Sequence, residues 1–162
     1  MKQPSLELDD GTEEVIRYYA DMVYRLAFAK TGTKHDADDI FQEVFLRYVK
    51  KHPVFQSEEH RKAWLLRVTS NCANKFWNSF WQKKVQGLTK EPEFLEEEHL
   101  QLYDQLSKLP PKYREVIHLF YYEELSLEEI SQILGRKNAT IRTQLTRARA
   151  MLREFMKEED YV

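Results

Sequence analysis

Apolar residues recur every three or four positions along most of the chain, and this spacing constrains the fold more than any other feature. In the first such stretch, from Thr12 to about Gly32, the recurring residues are Val15, Ile16, Tyr19, Met22, Val23, Leu26 and Ala27. A helix with one apolar face produces this pattern. With 4 Gly and 5 Pro in 162 residues, the chain lacks the turn residues of an all-β barrel or sandwich. The sequence therefore predicts an all-α protein.

The same spacing continues beyond Gly32, interrupted by capping residues and prolines. A second helix is predicted from Asp36, as its N-cap, to a stop at Pro53, and a third from Ser57 to about Lys84. Further helices are predicted through Leu102, Leu106 and Leu109 and then from Pro111 onward. Residues 85–97 mix Gly, Pro and acidic residues without an apolar face, which is typical of a linker.

These features predict two small helical domains joined by a flexible linker. The expected divisions are an N-terminal tail (1–11), a first domain (12–84), a linker (85–99) and a second domain (100–158).

Several classes of protein are disfavoured by composition. The single cysteine, Cys72, is expected in the core, because it has no partner for an internal disulfide and the histidines show no zinc-ligand spacing. No Gly-rich phosphate loop or nucleophile motif is present, so we expect neither an enzyme nor a cofactor. The first ten residues do not resemble a signal peptide, and no stretch approaches the roughly 18 apolar residues of a membrane span. We therefore expect a cytoplasmic protein with no membrane contact.

A helix-turn-helix pattern lies near the C-terminus. Ser126 and Glu129 have the spacing of a capping box, and Gly135 can end the short helix that they begin. After a turn through Asn138, a final helix has an inner stripe of Ile141, Leu145, Ala148, Leu152 and Phe155. The short turn containing glycine is typical of DNA-binding helix-turn-helix units.

The final helix is strongly basic on its opposite side. The sequence has no acidic residue from 136 to 153, although its net charge is -2 overall. Helical geometry assigns five residues to the outer face: Arg142, Thr143, Thr146, Arg147 and Arg153. A solvated charged surface is the alternative interpretation, but a local basic patch of this kind favours DNA binding.

Five segments carry a family resemblance: Leu109–Val116, Leu125–Ile130, Leu134–Gly135, Ala139–Thr143 and Leu145–Arg149. They resemble the fourth conserved region of bacterial RNA polymerase sigma factors, most of all the extracytoplasmic-function (ECF) group. Ala139, Arg142 and Ser131 stand where that family usually has Gly, Lys and Ala. The resemblance implies that this region reads the minus-thirty-five promoter element. The residues implied are Arg136, Lys137, Asn138, Thr140, Arg142, Thr143, Thr146 and Arg147.

The segment Asp36–Arg47 is similar to the family's second-region helix that binds the clamp coiled coil of core polymerase. This similarity implies core-binding roles for Asp39, Gln42 and Glu43, with Arg47 a further candidate. Positions 39, 42, 43 and 46 lie on adjacent turns of a helix and form one patch, which is compatible with that role. By itself, the patch would be interpreted as an ordinary acidic surface.

The segment 64–81 has an apolar face and a second face that is polar, basic and aromatic. The second face comprises Arg67, Asn71, Asn74, Lys75, Asn78 and Trp81. Amides, cations and an aromatic ring together suit single-stranded DNA. In the sigma family, the similar segment recognises and melts the minus-ten element. Trp77, Phe80 and Trp81 could equally pack against protein.

The resemblance implies a sigma factor that binds core RNA polymerase at its clamp coiled coil and flap, recognises double-stranded and single-stranded promoter DNA, and has an anti-sigma factor. An operator-binding helix-turn-helix regulator is the main alternative, and a helical adaptor is a weaker one. The acidic linker and near-neutral charge leave open a closed state in which one domain covers the DNA face of the other.

Overall fold

The computed structural model of the chain describes residues 9–83 and 105–160, with side chains for 11–76 and 105–157. Every regular element in these ranges is helical, which confirms the predicted all-α class. The helices are α1 (Asp9–Thr31), α2 (Lys34–Lys51), α3 (Glu58–Lys83), α4 (Pro111–Ile117), α5 (Leu127–Leu134) and α6 (Asn138–Asp160). A π-helical turn, His118–Tyr122, extends α4. The predicted linker, 85–99, lies outside the described residues, and only 105–107 of the helix predicted before Pro110 are described as helical.

The ends of α1 and α2 show how local chemistry sets the helix boundaries. Gly32 follows α1 in the left-handed region, with φ +85°. The prediction that Asp36 is the N-cap of α2 is wrong, because the Thr33 hydroxyl already accepts a hydrogen bond from the Asp36 amide at 3.2 Å. Asp36 instead lies in the first turn, where its carboxylate interacts favourably with the positive end of the helix dipole. At the other end, His52 is left-handed (φ 43°) immediately before Pro53.

The first three helices enclose a core made of the apolar stripes seen in the sequence. Val23, Leu26, Val44 and Leu65 are completely buried. Each fully buried aliphatic side chain contributes about 1.5–3 kcal/mol relative to an exposed one. Cys72 is also buried, and desolvation raises the pKa of its thiol, in agreement with the predicted core position.

The second unit packs α4, α5 and α6 around Val116, Leu119, Ile130, Ile141 and Ala148, all completely buried. Its α6 stripe is therefore the one predicted. The two units lie against each other: α1 contacts α4 and the π-helical turn, and α3 contacts α5. Within the described ranges, no helix is both long enough and apolar enough to cross a membrane.

Candidate nucleic-acid interface

The helix-turn-helix begins with a complete capping box. The Ser126 hydroxyl accepts from the Glu129 amide at 3.1 Å, and the Glu129 carboxylate accepts from the Ser126 amide at 3.0 Å. Gly135 ends α5 with φ +67°, a conformation that a side chain would strain, and its amide donates to the Ser131 carbonyl at 2.9 Å. These contacts hold α5 and α6 at the predicted turn.

The α6 helix presents a polar, cationic face to solvent. Arg142, Thr143, Thr146 and Arg147 are all exposed, opposite the buried Ile141 and Leu145. The Thr143 and Thr146 hydroxyls donate to the backbone carbonyls four residues earlier, at 3.0 and 2.9 Å. Their outward lone pairs can therefore accept from a base amino group, while the arginines can donate to phosphates or guanine edges.

The start of α6 adds further donors to this face. Lys137, Asn138 and Thr140 are exposed at the positive end of the helix, which suits a phosphate. A groove of about 350 Å³ between α4 and α6 includes Lys112 beside Thr140 and Arg147. Sequence reasoning missed Lys112, whose position at the start of a different helix gave no periodic signal.

Arg149 belongs to the same basic run but has a different environment. Its guanidinium donates to the Tyr121 hydroxyl at 2.5 Å and lies over the Phe120 and Tyr121 rings. Within the basic segment 136–153, Arg149 therefore contacts aromatic side chains of its own unit.

The predicted α2 patch is exposed as a group. Asp39, Gln42 and Glu43 face solvent, and Arg47 donates to the Glu43 carboxylate at 2.9 Å. Leu46 is 50% exposed beside them. Val49, one turn further along α2, is 40% exposed, so the two residues form a small apolar patch beside the polar group. A groove of about 280 Å³ connects this patch to Lys75 and Phe76 of α3.

The polar face of α3 is exposed at each of its described members, Arg67, Asn71, Asn74 and Lys75, and the side chains of Asn78 and Trp81 lie outside the described residues. Arg67 donates to the backbone carbonyls of Ile133, at 3.2 Å, and of Gln132. The Asn74 side-chain oxygen accepts from Lys30. Two predicted minus-ten residues are therefore engaged by protein groups.

A charge cluster, Lys30–Ser70–Glu115–Arg136, lies where the two units meet. Lys30 and Glu115 are 1% and 0% exposed, and the Lys30 Nζ lies 2.8 Å from Glu115 Oε2. The Ser70 hydroxyl donates to the same oxygen at 2.6 Å, and Arg136 donates to the other. Desolvation lowers the pKa of Lys30 despite the adjacent carboxylate. The attraction of the Glu115 carboxylate therefore does not fully offset the cost of desolvating the Lys30 ammonium.

Sequence reasoning missed Lys30, Glu115 and the inward direction of Arg136. A signal was present for the first, because Lys30 continues the α1 stripe of Val23, Leu26 and Ala27. A charged residue on an apolar stripe indicates a buried partner, but not its identity.

A second contact between the units involves the π-helical turn. Arg25 of α1 lies 3.4 Å from the Glu123 carboxylate and over the Tyr122 ring. His118 stacks on Tyr122 and its Nε2 lies 3.7 Å from Glu123. Burial would raise the pKa of Glu123, but His118 and Arg25 outweigh it and lower that pKa below its usual 4.5.

We expect the free energy of unfolding to depend on pH through Glu123, which lies where the two units meet. A lowered folded-state pKa means that the carboxylate contributes stability above its unfolded-state pKa and loses it as pH falls through the folded-state value. The difference in urea midpoint between wild type and Glu123→Gln should therefore be full at pH 7 and shrink progressively below about pH 4.5. A pH-independent difference would contradict this role.

Comparison with known proteins shows which family the chain resembles. Family models for Sigma-70 region 2 and for Sigma-70, region 4 match residues 15–81 and 99–152. RNA polymerase sigma factor SigV of Bacillus subtilis is 33% identical, over 85% of this chain and 86% of the relative. ECF RNA polymerase sigma factor SigM of the same organism is 31% identical, over 87% and 92%. ECF RNA polymerase sigma factor SigE of Mycolicibacterium smegmatis is also 31% identical, and the match spans 89% of this chain but 61% of the relative.

Two solved structures share the fold. The sigma factor RpoE, in complex with the anti-sigma factor NepR from Bartonella quintana, has a TM-score of 0.74 at 20% identity and covers 93% of this chain and 98% of its own. CnrH, in complex with the cytosolic domain of CnrY, has a TM-score of 0.70 at 21% identity and covers 93% and 90%. With both sigma-70 regions matched in order and relatives above 30% identity aligned over most of their length, the chain belongs to the ECF group of RNA polymerase sigma factors and functions in promoter recognition for transcription initiation.

Proposed function

We propose that the chain is a dissociable initiation subunit built from two DNA-reading modules. Residues 12–84 would bind core polymerase and the minus-ten element, residues 100–158 the minus-thirty-five element, and 85–99 would link them. The two helical units and the matched ranges 15–81 and 99–152 support this division. Two modules on a tether suit a promoter whose elements lie more than one DNA turn apart.

The observation that carries this proposal is the exposed cationic face on the second helix of the helix-turn-helix. Arg142 and Arg147 have no acidic residue near them in sequence, and the threonines between them offer acceptors and methyl groups. We assign this face, with Lys137, Asn138 and Thr140, to the minus-thirty-five major groove, whereas Arg136, which the sequence also assigned there, pairs with the buried Glu115. Arginine and threonine at this position combine base reading with phosphate contacts.

For core polymerase, we assign the α2 patch of Asp39, Gln42, Glu43 and Arg47 to the clamp coiled coil, and the second unit to the flap. Exposure of the patch beside the half-exposed Leu46 supports this assignment. Polar groups around a partly exposed apolar residue resemble the core and rim of a protein interface.

For the minus-ten element, we assign the polar face of α3 to single-stranded DNA. Asn71 and Lys75 are exposed there, and Arg67, Asn74, Asn78 and Trp81 share the face by helical spacing. Base capture requires unstacking that costs a few kcal/mol, which stacking on an aromatic ring can offset at about 1–3 kcal/mol per base.

We expect Trp81→Ala to slow promoter opening while leaving closed-complex formation unchanged. Loss of one stacking contact should reduce the open complex about 5- to 100-fold. Permanganate footprinting of unpaired thymines measures opening, and gel shift at low temperature measures the closed complex. Identical footprints for variant and wild type would refute the assigned stacking role.

The chain itself would perform no covalent chemistry, and it would work in the cytoplasm with the polymerase. We also propose an anti-sigma factor as a partner. RpoE and CnrH, which share this fold, were solved with NepR and with the cytosolic domain of CnrY.

Run-off transcription tests the whole proposal. Purified core polymerase is supplied with genomic promoter fragments, with and without the protein. Discrete new transcripts would support it and reveal both promoter elements. Failure to bind core polymerase, together with specific binding to duplex operators, would instead favour the helix-turn-helix regulator.

A further inference from the structure

The groove between α4 and α6 borders the face of α6 that reads DNA. It encloses about 350 Å³, and its polar lining consists of Lys112, Thr140, Thr143, Gln144 and Arg147. None of the described side chains that line it is acidic. Lys112 and Arg147 are exposed, so both positive charges are open to solvent. A groove with two cations and several hydrogen-bond donors suits an anion.

The side chain of Gln144 is held in one orientation by Arg136. The Arg136 guanidinium donates to the Gln144 side-chain oxygen at 3.0 Å. A guanidinium has no acceptor atom, so the amide atom that faces it must be the oxygen. The Nε2 group, with its two hydrogens, is therefore the part of Gln144 that can contact a ligand. Gln144 can thus serve the groove as a hydrogen-bond donor.

Arg136 is itself held by a buried carboxylate. Glu115 is completely buried, and its Oε1 accepts from the Arg136 guanidinium. The other oxygen, Oε2, accepts from the Ser70 hydroxyl at 2.6 Å and lies 2.8 Å from the Lys30 Nζ. Glu115, Arg136 and Gln144 all belong to the second unit, so the contacts that orient the Gln144 amide lie within one unit.

The position of Gln144 on α6 indicates which part of DNA it would meet. A helix about 10–12 Å across fills a major groove about 12 Å wide, so the flanks of its outer face lie against the sugar–phosphate walls. Gln144 is half-buried at the flank nearest α4, and Lys112 extends from α4 beside it. A phosphate is negative and accepts from both cations and amides, so it fits this pair better than a base edge does.

We propose that Lys112 and Gln144 bind one backbone phosphate of duplex DNA beside the minus-thirty-five element, and that Arg136, held by Glu115, is a positioning residue that presents the Gln144 amide to this phosphate. The proposal rests on the assignment of α6 to duplex DNA. A phosphate contact carries no sequence information, so this site sets the register of α6 on the duplex and adds affinity at any sequence.

The first test measures how the affinity of the full chain for DNA depends on salt, by anisotropy of a labelled duplex of random sequence. A lysine that contacts a phosphate adds about 0.9 to the slope of log affinity against log salt concentration. Lys112→Ala should lower the slope by about that amount and the affinity about 3- to 10-fold at low salt. Lys112→Arg should retain both. Lys157→Ala removes the same charge from an exposed position far along α6 and should match wild type.

The second test asks whether Arg136 acts through Gln144. Gln144→Ala removes a neutral donor, so the affinity should fall about 3- to 10-fold while the salt slope stays unchanged. Arg136→Met should give a similar loss, also without a change in slope. The double variant should bind no more weakly than either single variant, since all three lack the same amide contact. Circular dichroism and the thermal unfolding midpoint confirm that each variant is folded.

Several results would overturn the site. An unchanged salt slope in Lys112→Ala, or an equal change in Lys157→Ala, would remove Lys112 from the phosphate. A loss from Arg136→Met that is as large with Gln144→Ala as without it would contradict the positioning role, and so would a lowered salt slope in Arg136→Met. A wild type that does not bind the duplex at low salt would overturn the site as well.

Run-off transcription with the same proteins separates failure of this site from failure of the proposed function. Discrete transcripts from wild type without the expected slope and coupling reject only the phosphate site. The expected slope and coupling without transcripts from any protein reject only the proposed function.

Discussion

Arg142→Glu is expected to abolish transcription from promoters that require the minus-thirty-five element, while core polymerase binding stays intact. Arg142 is exposed on the outer face of α6, between Thr143 and the buried Ile141. A good arginine contact contributes about 1–3 kcal/mol to discrimination, and a carboxylate in its place also repels phosphate. The expected loss is at least 100-fold in run-off yield.

The matched control for this change is Lys157→Glu, which makes the same charge reversal near the far end of α6. Lys157 is exposed, and its Nζ lies 3.8 Å from the carboxylate of Glu154, which is also on the surface. It should transcribe within about 2-fold of wild type, because surface ion pairs contribute little. Normal activity of Arg142→Glu at a promoter that depends on this element would refute the assigned reading face.

Alanine at both Gln42 and Glu43 is expected to weaken binding to core polymerase. The two side chains are exposed on α2, and Glu43 also holds Arg47 at 2.9 Å, so its loss releases a second member of the patch. Truncation of residues central to an interface costs about 1–2 kcal/mol each or more. A fluorescence titration with labelled protein should show an affinity about 10- to 100-fold lower.

Gln56→Ala/Glu59→Ala provides the control, since it removes the same two residue types from exposed positions, one just before α3 and one in its first turn. Its affinity for core polymerase should match wild type. The Gln42 and Glu43 variant should still bind duplex promoter DNA through α6, which shows that the second unit stays folded, and its far-ultraviolet circular dichroism should match wild type, which shows that the helices of the first unit remain. Unchanged affinity for polymerase would remove the α2 patch from the interface.

Together these variants separate the two modules. Arg142→Glu should bind polymerase but fail to recognise the promoter. The Gln42 and Glu43 variant should recognise DNA but fail to bind polymerase. A single-module regulator would not produce this pattern, because its DNA contacts alone would determine its output.

Much of the fold follows from local sequence. The three-and-four spacing from Val15 to Ala27 identified α1, and the Ser126–Glu129 capping box and Gly135 identified α5 and its end. Local rules were insufficient at the start of α2, where Thr33 and Asp36 are both good N-caps and the earlier residue acts as the cap. The faces of α6 were also predictable, because burial of Ile141 and Leu145 forces Arg142 and Thr146 outward.

The sequence by itself therefore determined the helices, their apolar faces and the side chains available for DNA, since these depend on contacts within a few residues. Only the tertiary structure decided which of those side chains are free. Lys30 and Glu115 are 85 positions apart, as are Ala29 and Arg114, whose guanidinium donates to the Ala29 carbonyl. No periodicity links such residues. Their pairing arises from the packing of one unit against the other, where a charge that leaves water must find a counterion or hydrogen-bond partner.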